Sequence, residues 1–378
     1  MNASASTSGL RSAVAAMLIM AIGMGFGRFA YTAIYPHMVQ EGLLSLDAGS
    51  LAASVNYAGY LLGALLALRV RPASALRLCL WMTAGTAACL LLLALVEMAW
   101  VIIAVRGIAG VCSALAMIAA SLWLLEQRKH GHGAPLLYAG VGLGIALSAE
   151  LVVLADSWGL PSREQWLLLG CFSLILAGLT LPGLRDQRPV RVGGQHDSGK
   201  REQVQPRPLV LIYGLAGFGY IITATYLPLL VKSVLPELNS AHVWAVFGLG
   251  AVPACFLWHR IDQRLGTHRA LALNLIIQAL GVLLPVLLPN GVGYLGSALL
   301  VGGTFTGTVT IAMPAGQRIA RQARGNLLAS MTVTYSIGQI IGPLLASAAY
   351  GISQSVAGSL WIAGGALVLG AWLSLTAL

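Results

Sequence analysis

The chain has 378 residues, of which 58% are hydrophobic and only 9% charged, and its formal net charge is +10. A soluble domain carries about 25% charged residues, so this composition excludes a water-soluble fold and predicts an integral membrane protein. The basic excess sits in short connections between apolar runs, which makes it a topology signal and excludes a nucleic-acid-binding reading.

Twelve apolar segments are predicted, each near the roughly 20 residues that cross the hydrocarbon core as a helix. The first, 12–36, holds Arg28 within Gly25-Phe26-Gly27-Arg28-Phe29-Ala30-Tyr31-Thr32-Ala33-Ile34-Tyr35-Pro36. A charge near the centre of a spanning helix costs about 2.5–3.5 kcal/mol on insertion scales, so Arg28 is expected to face a wet cavity or a partner. Arg11 precedes this run, but the apolar stretch is long and has no small-residue cleavage site, so it is read as a helix and not as a signal peptide. The second segment, 46–68, contains Ser54-Val55-Asn56-Tyr57-Ala58-Gly59-Tyr60-Leu61-Leu62-Gly63-Ala64-Leu65. Arg69, Arg71 and Arg77 lead into the third, 78–96, and the fourth, 99–124, carries Arg106-Gly107-Ile108-Ala109-Gly110. After Arg128 and Lys129 come 134–155, with Gly140, Gly144 and Glu150, and then 165–184.

A hydrophilic stretch follows, from Arg185 to about Pro208, with Gly193, Gly194, Gln195, Asp197, Ser198, Gly199, Lys200 and Gln205. Such a composition suits a solvated linker. The predicted organisation is a six-helix bundle over 1–184, a cytoplasmic linker over 185–207 and a second six-helix bundle over 208–378. Segment seven, 208–231, opens with Gly217-Phe218-Gly219-Tyr220-Ile221-Ile222-Thr223-Ala224-Thr225-Tyr226-Leu227-Pro228, which aligns without a gap on the first motif at an offset of 192 residues. Both glycines, the phenylalanine and the closing proline match, as expected of a duplicated six-helix unit. The remaining segments are 241–258, 269–288, 292–316 with Thr304, Thr306, Thr308 and Thr310, 327–349 with Tyr335, Gly338, Gln339 and Gly342, and 355–377. Apolar runs of this length exclude an outer-membrane barrel.

Only Arg163 and Lys232 fall in the odd-numbered connections, whereas Arg207, Arg260, Arg264, Arg269, Arg318, Arg321 and Arg324 join the basic residues of the even ones. Both termini and the even connections are therefore predicted to be cytoplasmic. All five cysteines lie in apolar segments and are read as free thiols. No metal-ligand spacing or catalytic constellation is present, so neither a cofactor nor an enzymatic activity is expected.

The two six-helix halves, the basic central loop and the Arg106 motif resemble the major facilitator superfamily of secondary transporters over essentially the whole chain. The glycine-framed first motif together with the Ser54–Leu65 stretch is similar to the superfamily's YbfB/YjiJ-like branch. The resemblance implies an all-α membrane protein of twelve helices in two pseudo-symmetric bundles. It further implies a monomer in the inner membrane, moving a solute by alternating access between rocking halves. The loop 2–3 sequence Ala67-Leu68-Arg69-Val70-Arg71 lacks the acid of the superfamily's acidic-basic motif. Asp262, Arg264 and Gly266, between helices 8 and 9, form the better copy and are the expected gating pair.

In this superfamily helices 1, 4, 7 and 10 line the central cavity. The residues expected at the solute are therefore Arg28, Tyr31, Thr32 and Tyr35 on one stripe of helix 1, Arg106 on helix 4, Tyr220 and Thr223 on helix 7, and Thr304 and Thr308 on helix 10. Asn56 and Tyr60 from helix 2 and Tyr335 and Gln339 from helix 11 complete the set. Two guanidinium groups with no Asp or Glu in the cores of those four helices favour an anion, because arginine offers a planar fork that fits a carboxylate. Arg106 has a second role open to it, bonding backbone or neighbouring helices. Glu150 is either a coupling residue, with Arg106 as a candidate partner, or a hydrated group near the outer end. The expected function is transport of a small organic anion, carboxylate or amino-acid-like, with proton coupling as an option. A proton-driven exporter of amphipathic drugs or metabolites and a non-transporting membrane sensor or scaffold are the alternatives.

Overall fold

A computed structural model describes residues 3–130, 133–185, 205–235, 239–320 and 327–378. Among these residues there is no strand. Helix α1 consists of three consecutive segments: Ala3–Met20, a π-helical stretch Ala21–Phe29, and Ala30–Gln40. It is followed by α2 (Leu46–Ala67), α3 (Ala75–Leu93), α4 (Ala99–Ser121, extended by a π-helical turn Leu122–Gln127), α5 (Ala134–Ser157) and α6 (Ser162–Arg185). The second half comprises α7 (Pro206–Val234), α8 (Ser240–Leu265), α9 (Thr267–Leu287), α10 (Gly291–Ala320), α11 (Leu327–Ser353) and α12 (Ala357–Thr376). Of the expected linker, Gly193, Gly194, Gln195, Asp197, Ser198, Gly199 and Lys200 lie outside the described residues, as do Arg321 and Arg324.

Among the described residues eleven helices are long and apolar enough to cross a membrane, and the chain is a multi-pass membrane protein. Its outer surface carries leucine, isoleucine and tryptophan, with Trp81, Trp100, Ile175, Trp361 and Trp372 all exposed. In water such a surface would be an aggregation liability; in lipid it matches the solvent.

Within the first half α2 packs on α4 and α1 on α5; within the second, α8 packs on α10 and α7 on α11. The halves meet where α5 lies on α8 and α2 on α11. Lipid supplies no hydrophobic force between helices, so small residues that admit close backbone approach carry these contacts. A Cβ built on Gly110 would stand 2.0 Å from the Asn56 carbonyl oxygen, and one on Gly142 would stand 2.6 Å from that of Gly248. The internal repeat has a direct structural trace: Thr32 Oγ1 donates to the Ala224 carbonyl at 2.9 Å, and these are the two positions that the 192-residue offset equates. Equivalent elements of a two-fold pair meet at the axis, as α1 and α7 do here.

Hydrogen bonds between the halves cluster from mid-depth to the end that carries the odd-numbered connections. Tyr57 and Thr225 hydroxyls lie 3.3 Å apart, Ser54 Oγ donates to the Ile340 carbonyl at 3.0 Å, and Ser347 donates to Asp47. Asn239 Nδ2 donates to Asp156 at 2.9 Å. The halves are thus clasped at the odd-loop end.

A Gly110→Val substitution has no room against a fixed carbonyl and is expected to lower stability by about 1–3 kcal/mol or to abolish folding. Gly178, which has nothing within 4 Å of an added Cβ, is expected to accept alanine without loss. Thermal melting of the two variants in detergent measures the contrast.

Candidate functional site

The π-helical stretch of α1 sets the geometry. Its wide turn is closed by the Ala30 N–H donating to the Gly25 carbonyl, five residues back. Three consecutive carbonyls at its end then receive side-chain donors. Arg106 of α4 spreads its fork over two of them, with Nη1 donating to Gly27 and Nη2 to Arg28, each at 3.1 Å. Trp244 of α8 donates Nε1 to the third, Phe29, at 3.0 Å. Arg106 is 1% exposed, and its guanidinium carbon sits 4.4 Å from the centroid of the Tyr31 ring. Asn56 Nδ2 donates to the Arg106 carbonyl at 2.7 Å and ties α2 to this level of α4. Of the two roles open to Arg106, the geometry supports backbone bonding.

Arg28 is 3% exposed and lies between the halves. Its Nη2 donates to Gln339 Oε1 of α11 at 2.8 Å. The guanidinium carbon is 4.0 Å from the Tyr60 ring centroid, 5.0 Å from that of Tyr57 and 5.2 Å from that of Phe29. Nε is buried without a partner. Among the described residues no carboxylate forms an ion pair with Arg28. Gln339 in turn donates to the Tyr220 hydroxyl. Tyr220 stacks on Phe305 of α10 at 5.3 Å and on Tyr335 of α11 at 5.9 Å, and Tyr335 stacks on Tyr213 at 4.5 Å. Arg28, Tyr60, Tyr220, Tyr335 and Gln339 are therefore brought together.

The other expected residues are placed elsewhere. Tyr31 and Tyr35 donate to the carbonyls of Gly49 and Leu46, each at 2.8 Å, and so pin α1 to the start of α2. The Thr32 hydroxyl is taken by Ala224, and that of Thr223 is buried without a partner. Thr304 bonds the Leu300 carbonyl of its own helix at 2.6 Å, and Thr308 donates to Asn274 of α9 at 2.6 Å, so these threonines face α9. It is Phe305, one residue and about 100° around the helix, that reaches Tyr220.

Glu150 pairs with His242 across α5 and α8 at 2.9 Å, with the two side chains 51% and 47% exposed. Of the roles open to Glu150, its exposure fits the hydrated group near the outer end, and Arg106, whose fork is held by backbone, is not its partner here. The two residues expected to gate have different surroundings. Asp262 accepts from Thr267 Oγ1 at 3.1 Å, Thr267 accepts from Arg318 Nη2 at 3.1 Å, and Arg264 is exposed. Two residues apart on a helix point to opposite sides, so both could not join one cluster. Tyr57, Phe305 and Trp244 are site residues that the sequence reading missed. Only Tyr57, three residues before Tyr60 and thus on the same helical face, carried a signal.

Polar side chains enclosed where two pseudo-symmetric six-helix bundles meet at mid-depth are the arrangement of a secondary transporter of the major facilitator fold. The family model described as "Uncharacterised MFS-type transporter YbfB" matches residues 20–375, and the chain belongs to this family. Among solved structures, a point mutant of the nucleoside transporter NupG is similar at a TM-score of 0.69, over 97% of this chain and 99% of that one, with 13% identity. That likeness is one of fold. No curated protein matches the chain.

Arg106→Ala takes two charged donors from the carbonyls of Gly27 and Arg28 and leaves a buried gap, so it is expected to cost about 3–5 kcal/mol. Trp244→Phe removes one hydrogen bond and is expected to cost about 1–3 kcal/mol. Melting temperatures of purified protein, ranked wild type, then W244F, then R106A, are the check.

Proposed function

We propose that the protein moves a small organic anion, carboxylate or amino-acid-like, across the inner membrane by rocking its two halves about Arg28. One edge of the Arg28 fork carries the proposal: Nη2 is held by a neutral amide oxygen and the adjacent Nε has no partner. A carboxylate fits both donors at once. Hydrogen bonds to charged groups contribute about 1.5–3 kcal/mol each against about 1 kcal/mol for neutral ones, so a carboxylate displaces Gln339 from this edge. It also neutralises a cation that is costly to enclose. An organic cation would call for a buried carboxylate here, and none meets Arg28 among the described residues.

With the basic even-numbered connections facing the cytoplasm, the clasped odd-loop end faces outward. The conformer is then closed to the outside, and the solute reaches Arg28 from the cytoplasmic side. Opening outward must break the bond between Glu150 and His242, which spans the halves at that end. Loss of the carboxylate charge weakens this contact, and that gives a proton a way to favour outward opening. Arg106, spent on backbone, serves as a positioning residue.

In proteoliposomes, Arg28→Ala is expected to reduce organic-anion flux by about a hundredfold, and Arg28→Lys, which keeps charge but loses the fork, by an intermediate factor. Wild-type rates in both would remove Arg28 from the mechanism. Glu150→Gln is expected to flatten the pH dependence of net flux while leaving solute exchange intact; an unchanged pH profile would remove Glu150 from coupling.

A further inference from the structure

Resting on the anion reading, we infer that the solute is a planar aromatic carboxylate, with its ring received by the face that the second half turns toward Arg28. The guanidinium carbon of Arg28 lies over the Tyr60 ring at 4.0 Å. The edge open to an incoming carboxylate is the one where Nε is vacant and Nη2 holds a neutral amide. A group that replaces the Gln339 amide there extends along the path of that side chain, which ends on the Tyr220 hydroxyl. Around this point the rings of Tyr213, Tyr335, Tyr220 and Phe305 form a continuous series with centroid steps of 4.5, 5.9 and 5.3 Å and interplanar angles of 29°, 27° and 15°.

Packing of aromatic residues in a core does not require four rings to lie nearly parallel in sequence, since edge-to-face pairs are as favourable. Such a series has the spacing of offset stacking; its Phe305 end is closed by Phe29 at 5.9 Å and Phe247 at 5.2 Å, so a planar conjugated solute joins it beside Tyr220, in the place of the Gln339 amide. Its first members stand on α7 and α11, against which the cation of α1 is held, so the ring slot and the carboxylate seat belong to opposite halves. A solute with both parts bridges the halves, whereas a short aliphatic acid engages Arg28 alone. Tyr335 is partly exposed in this conformer, which gives solvent access to the series. Two further buried hydroxyls lack partners, Thr223 three residues after Tyr220 and Ser336 three residues before Gln339. Unsatisfied buried groups are uncommon in native structures, and these stand on the same helical faces as the slot, available to a ring substituent.

The test is calorimetric titration of the full-length protein in lipid nanodiscs with benzoate, its saturated counterpart cyclohexanecarboxylate, and uridine as a neutral planar solute. Benzoate is expected to bind about tenfold more tightly than cyclohexanecarboxylate, the difference that offset stacking supplies. Phe305→Leu is expected to bring the two acids within about threefold of each other by weakening benzoate alone; Tyr335→Leu carries the same expectation should the first variant fail to fold. Equal wild-type affinities for the two acids overturn the aromatic inference and leave the anion reading standing. Binding of neither acid, with or without binding of uridine, overturns both.

Discussion

The fork that Arg106 places on the carbonyls of Gly27 and Arg28 holds the site in shape. A π-helical turn bonds its carbonyls to N–H groups five residues on, and side-chain donors at its end add to that ladder at membrane depth, where polar groups have no water to turn to. Arg106 supplies two and Trp244 a third. The first two come from α4, in the same half as α1, and keep the segment wound whatever the other half does. The third comes from α8, in the opposite half, and under the proposed rocking it is the one that would be lost. The segment that presents Arg28 is thus held permanently on one side and conditionally on the other.

This arrangement gives the two buried arginines different tasks. Arg106 has its charge met by backbone oxygens and the Tyr31 ring, which makes it a scaffold for its neighbour. Arg28 lies over the rings of Tyr60 and Tyr57 and has a single neutral acceptor where Arg106 has two backbone ones, and each of the two leaves its Nε without a partner. A cation so placed is stable enough to be tolerated and incompletely satisfied, which suits a group that must accept an anion and later release it. The bond from Arg28 to Gln339 links α1 to α11 across the halves, so exchanging the amide for a solute changes the connection between the bundles at their centre.

Twelve helices, their division six and six, and the correspondence between α1 and α7 were legible in the chain because lipid imposes a length and hydropathy rule on each span and because duplication left matching glycines and prolines. Arg28 was legible for a related reason, since a charge in an apolar run stands out. The stripe drawn from Arg28 through Tyr31, Thr32 and Tyr35 assumed 3.6 residues per turn, and in the structure these hydroxyls meet the carbonyls of Gly49, Ala224 and Leu46. The π-helical stretch ends at Phe29 and re-aims every residue after it, sending those hydroxyls to α2 and α7. Nothing in sequence alone revealed that extra width. On α10 the hydroxyls of Thr304 and Thr308 bond their own helix and α9, and the neighbouring Phe305 reaches Tyr220. Asp262 and Arg264 fitted a pattern whose spacing divides them between opposite sides of α8.

The central claim is that a solute carboxylate sits on the Arg28 fork. Solid-state dipolar recoupling between guanidinium nitrogen-15 in the protein and carboxyl carbon-13 in benzoate, in lipid, reads this contact directly. The account predicts a nitrogen–carbon separation of about 4 Å that disappears in Arg28→Lys and survives in Arg106→Lys. A coupling that persists without Arg28, or none in the wild type at saturating benzoate, would contradict it.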